Sequence, residues 1–79
     1  MDRIEQDGSI IYRDGNDAAI VTRALEVIVG HYFTQRNCFT GKTWEEFCVA
    51  RNVGSYKTPS GAERSAKRHL SANVARREA

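Results

Sequence analysis

The sequence predicts a mainly α-helical domain, an N-terminal β-hairpin followed by three helices. Three observations predict it. An apolar stretch runs almost unbroken from Asp17 to about Gln35, Thr43 and Thr58 each open a segment with helix-capping chemistry, and Asp7-Gly8 separates two short β-prone runs. At 79 residues the chain is expected to be one domain over 1–79, with a hairpin over 1–16 and a helical core over 17–79. A chain this short buries too little surface to divide its core in two.

The hairpin rests on Asp7-Gly8, a pair suited to the positive φ angles of a tight primed turn, between Arg3–Gln6 and Ser9-Ile10-Ile11-Tyr12-Arg13. Of the adjacent Ile10 and Ile11, one faces the helices and the other faces outward. An outward isoleucine on an edge strand invites a second chain, so a homodimer is expected. Asp14-Gly15-Asn16-Asp17 ends the strand and offers Asn16 or Asp17 as the cap of a first helix near 17–35. On a helical wheel the apolar residues Ile20, Val21, Ala24, Leu25, Val27, Ile28, Val29 and Tyr32 cover more than half the circumference, which makes this the central helix.

A loop, Arg36–Lys42, leads to Thr43-Trp44-Glu45-Glu46, a capping box in which Thr43 and Glu46 satisfy each other's amides. It opens a short second helix near 43–52 that ends at Gly54. Leu25, Ile28 and Tyr32 are expected to share the core with Trp44 and Phe47, and Cys48 is expected to be a small core residue. Thr58 as cap and Pro59 at the first helical position start a third helix near 59–76. Ala62, Ala66, Leu70 and Val74 form its apolar stripe, and Arg64, Lys67 and Arg68 project from the far side.

The charge is divided by position. Residues 1–50 hold five Lys/Arg against eight Asp/Glu, and residues 51–79 hold seven against two, so an acidic half of −3 precedes a tail of +5. A basic helix attracts phosphates or acidic protein faces. The stretch Phe47–Leu70 loosely resembles a helix-turn-helix, with Ala50 and Gly54 at the four-residue spacing of that motif and a basic helix after the turn. Ser55 stands where the motif expects an apolar residue, and the turn is longer than the compact form. The resemblance implies a small nucleic-acid-binding regulator. Lys57, Arg64, Lys67, Arg68, Arg76 and Arg77 would contact phosphates, and Tyr56, Ser55, Ser60 and Ser65 would hydrogen-bond to backbone or base edges.

A second expectation is a protein-directed inhibitor or adaptor. Small phage-encoded host-takeover and anti-CRISPR proteins are the class it resembles. Either the acidic half would mimic phosphates or the basic helix would dock an acidic host protein, with Tyr12, Phe39 and Tyr56 as anchors.

Catalysis is not expected. His31 lies in an apolar run, His69 lies among cations, Cys38 has no catalytic context, and Thr40-Gly41-Lys42-Thr43 lacks the upstream glycine of a phosphate loop. Neither a cofactor nor a metal site is expected, because the two cysteines and two histidines lack paired ligand spacings. No membrane span and no secretion signal are visible, which points to the cytoplasm.

Overall fold

The computed structural model describes residues 1–78, and it is mainly antiparallel β-sheet. Five strands, β1 (Asp2–Gln6), β2 (Ser9–Asp14), β3 (Asp17–Val21), β4 (Glu26–Arg36) and β5 (Thr43–Ser55), form a meander in the order β1-β2-β3-β4-β5. One helix, α1 (Pro59–Glu78), follows and lies across β2, β3 and β4.

The expected hairpin and the last helix are present. Asp7 (φ 52°) and Gly8 (φ 81°) join β1 to β2 in the primed turn that suits the twist of paired strands. Thr58 caps α1 by accepting from the Gly61 amide (3.2 Å), and the stripe Ala62, Ala66 and Leu70 is fully buried. The three-helix expectation is overturned. Residues 17–35 form β3, a turn and most of β4, and residues 43–52 belong to β5, so the region 17–55 contains no helix.

The reason is where apolar side chains can be covered. A helix that is apolar nearly all round needs neighbours on every side, and a chain of this size has too few. Two strands divide the same residues between two faces. Ala19, Val21, Val27 and Val29 pack against α1, while Ile20 and Ile28 turn to the other face. Seven β-branched residues between 17 and 35 also favour the extended form.

The core therefore lies between sheet and helix. It comprises Tyr12, Ala19, Val21, Val27, Val29, Ala62, Ala66 and Leu70. Of the residues expected there, Leu25 sits half-buried in the β3–β4 turn at φ 61°, Trp44 is 43% exposed, and Ile28, Tyr32 and Phe47 lie on the opposite face. Cys48 is exposed rather than buried. Ile10 faces α1 and Ile11 faces away, as the alternation requires. The strand carrying them, β2, is interior, so it offers no free edge to a second chain.

Candidate nucleic-acid interface

The helix-turn-helix is absent, because Phe47, Ala50 and Gly54 lie in β5 and only the basic helix of the motif is real. The cations of that helix fall into two groups. Arg77 is held by the β2–β3 turn, with Nη1 2.8 Å from Asp17 Oδ2 and Nη2 3.6 Å from Asp14 Oδ1. Arg64, Lys67 and Arg68 are exposed and, among the described residues, have no acidic partner within ion-pair distance, and Arg76 donates to Asn73 Oδ1 (3.1 Å).

What frees the outer cations is where the acids go. Glu63, on α1 itself, accepts from Tyr12 Oη (2.5 Å) and from Arg3 Nε (3.2 Å). Arg3 also pairs with Glu5 (3.0 Å). Glu45 accepts two bonds from Arg13, at 3.1 and 2.5 Å. Glu5, Glu63, Glu45, Asp14 and Asp17 are thus paired with Arg3, Arg13 and Arg77, while Asp2, Asp7, Glu26 and Glu46 have no cationic partner within ion-pair distance among the described residues.

Beside α1 runs an open groove of about 320 Å3 lined by Ser60, Glu63, Arg64 and Lys67. The Lys67 ammonium stands 5.4 Å from the Tyr12 ring centroid, an orientation favoured by the ring quadrupole. The Tyr12 hydroxyl and Arg3 hold the Glu63 carboxyl below its ordinary range, and burial together with that hydrogen bond raises the Tyr12 phenol. The depressed Glu63 contributes stability above the unfolded carboxylate pKa of about 4.3 and loses it as pH falls through the lower folded value. The raised Tyr12 contributes below about pH 10 and loses it as pH rises through the higher folded value. Glu63→Gln is expected to lower the melting temperature at neutral pH and to flatten its decline below about pH 4, measured by melts across pH.

Not every expected contact reaches the surface. Tyr56 is half-buried, its hydroxyl 2.6 Å from the buried Ser65 Oγ, so this pair ties the post-sheet turn to α1. Lys57 is exposed beside the start of α1. His69 Nδ1 lies 2.8 Å from the Ser65 carbonyl oxygen, and Thr40-Gly41-Lys42 forms a turn between two antiparallel strands, unlike the strand-to-helix setting of a phosphate loop. His31 and Cys48 are exposed cross-strand neighbours, and both cysteines are free.

Sequence reasoning missed one feature, an arm. Beyond Asp17, the first residue of β3, the Tyr32 amide still donates to the Asn16 carbonyl (2.7 Å), and from there Phe33–Arg36 and Thr43–Glu46 pair with each other alone for four rungs, roughly 14 Å at about 3.4 Å per residue. The arm leaves the sheet at the end where Arg77 anchors α1. Its base is braced by the Tyr32–Phe47 ring pair (centroids 5.3 Å apart) and by the Arg13 guanidinium, 4.2 Å over Tyr32. At its tip Asn37 accepts from the amides of Phe39 and Thr40, Phe39 is 93% exposed, and Arg36 and Lys42 flank the loop. The available signal was the run Tyr32-Phe33-Thr34 facing Trp44-Glu45-Glu46-Phe47 across a six-residue polar loop.

Comparison of the chain with protein-family models, with curated proteins and with solved structures finds no match. Among the described residues no helix is long and apolar enough to cross a membrane.

Proposed function

We propose that this protein binds nucleic acid through the phosphate backbone, with the outer face of α1 as its contact surface. One observation supports it above the others: Arg64, Lys67 and Arg68 stand exposed on one helix face with no acidic partner within ion-pair distance among the described residues, while Arg3, Arg13 and Arg77, which brace the fold, are paired. A solvated charge run would serve solubility equally well if its charges were spread and mixed in sign. Here the acid among them, Glu63, is bonded to Tyr12 and Arg3 at the edge of the groove it shares with Arg64 and Lys67, which leaves the cations in excess on this face. Lys57 and Arg76 extend it at the two ends of the helix.

Contacts of this kind position a duplex or single strand without reading its sequence. The arm supplies a second element of suitable size, because a two-stranded ribbon fits the major groove and an exposed aromatic can stack on an unpaired base. Arg36, Lys42 and Phe39 would act there.

The test is fluorescence anisotropy with unrelated duplex DNA, single-stranded DNA and RNA over a range of salt. Affinity is expected to fall steeply with salt. Arg64→Glu, Lys67→Glu and Arg68→Glu should each weaken binding on every probe, and the corresponding alanine variants should flatten the salt slope by about 0.9 per lost duplex contact. Stability should change by less than about 0.5 kcal/mol, since these side chains are exposed. Folded wild-type protein that binds no probe at about 50 mM salt would overturn the proposal and favour a protein-directed function.

A further inference from the structure

The face of the sheet opposite α1 carries a row of isoleucines in cross-strand register: Ile4 opposite Ile11, Ile11 opposite Ile20, and Ile20 opposite Ile28. Ile11, Ile20 and Ile28 are half-buried and Ile4 is 45% exposed. The row spans four adjacent strands and meets Gly30, Phe47 and Val49 at its β4–β5 end, where Val49 is 57% exposed. Nothing among the described residues covers it, since α1 packs only on the other side.

We propose that a second copy of this chain covers this face, packing one isoleucine row against the other so that two sheets stack back to back with the helices outside.

The dimensions fit. The molecule measures 45 × 34 × 20 Å, and 20 Å is the thickness of a single sheet and helix. The broad face offers on the order of 1,500 Å2 of footprint, against the roughly 800 Å2 per partner of a stable interface, so covering about half of it is enough. Sheets stacked face to face interdigitate alternate side chains across about 10 Å, which a row of branched residues in register provides.

Charge selects a like partner. Arg13, on this face, lies opposite Asp2 in the β1–β2 register and is bonded to Glu45, so its charge is neutralised within the chain. Gln6, Ser9, Thr34 and Asn52 border the apolar row with neutral polar groups and Glu26 with one charge, the arrangement of an interface core and its polar rim. Glu26, beside Ile28 at the β3–β4 end of the row, is a carboxylate on this face without an ion-pair partner among the described residues, and two copies can meet with it at the margin of the contact. On the α1 face, unpaired cations would oppose each other. A lipid surface or an acidic partner would call for cations around the apolar row, and Arg13 is already occupied. Because the contact leaves α1 free, it holds whether or not nucleic acid binds there.

Sedimentation equilibrium is the test, on the wild type and two variants from about 1 to 100 µM. The wild type is expected at twice the 8.9 kDa chain mass, with a melting temperature that rises with concentration. Ile20→Lys, at the centre of the row, should weaken association at least 100-fold. Ile4→Lys, at an edge position already 45% exposed, should weaken it about tenfold in a chain whose circular dichroism is unchanged, and it decides the matter alone if Ile20→Lys does not fold. Arg68→Ala on α1 should leave the mass unchanged. A wild type that is monomeric at every concentration overturns the proposal, and so does a dimer that folded Ile4→Lys and Ile20→Lys retain undiminished.

Discussion

Gly30→Ala is expected to destabilise the fold by about 3 kcal/mol, beyond what glycine-to-alanine changes in strands usually do. A Cβ at this position, pointing to the open face, would overlap the Cys48 carbonyl oxygen and come within 2.8 Å of Phe47 Cζ. The ring can swing aside, but the carbonyl belongs to the neighbouring strand and moves only if β4 and β5 separate. The register shift between Val29 and Gly30, where Ala50 bulges from β5, brings that carbonyl so close. A loss of about 3 kcal/mol corresponds to roughly 12–24 °C in the midpoint of a domain this size, readily measured by thermal melting. Combining Gly30→Ala with Phe47→Leu should recover little, because the ring is the lesser obstacle. Full recovery in that double variant would locate the constraint in the side chain instead.

Leu70→Ala is the second large effect, expected at about 3 kcal/mol within the 2–5 kcal/mol range for emptied core sites. Leu70 and Val27 are the largest fully buried side chains, and alanine fills three of the eight places in the core cluster, so little neighbouring volume can move into the gap. Against a total stability of roughly 4–12 kcal/mol for a chain of this length, the loss is a quarter or more. Phe47→Ala should cost less, because Phe47 lies on the open face and is only partly buried. Chemical denaturation of the two variants side by side checks this order. A greater loss for Phe47→Ala would show that the open face, and not the helix-covered one, carries the core.

Turns explain where sequence and structure part company. The β1–β2 turn was legible because Asp7-Gly8 is suited to φ values of 52° and 81° by local sterics. The β3–β4 turn was not. Thr22 O accepts from Leu25 N (3.0 Å) and Thr22 N donates to Glu26 O (2.9 Å), which places Leu25 in the left-handed region at φ 61° where glycine or asparagine is the usual signal. Leucine accepts that strain, about 1 kcal/mol, because its side chain packs against the core. With no visible break at 22–25, two strands read as one helix. Thr43 and Glu46 had the spacing of a capping box, yet Glu46 accepts from Trp44 Nε1 (2.9 Å) within β5.

The proposed interface was legible in the same uneven way. Arg64, Lys67 and Arg68 could be assigned to the outer face of α1 from the stripe opposite them. Which cations remain unpaired could not, because the acids that capture Arg77 stand 60 or more residues away in the chain. The arm and the isoleucine row arise from strand pairing over distances that periodicity does not encode.

By itself, the sequence determined what depends on a few consecutive residues: the Asp7-Gly8 turn, the Thr58-Pro59 helix start with its buried stripe, and the concentration of basic charge in the last third of the chain. Each rests on sterics or hydrogen bonds reaching no more than four residues. The tertiary structure decided whether 17–55 is helix or strand, which face of the sheet is covered, and which charges are free. Those outcomes follow from what is available to cover an apolar side chain or pair with a charge, and for this chain the covering element, α1, comes last.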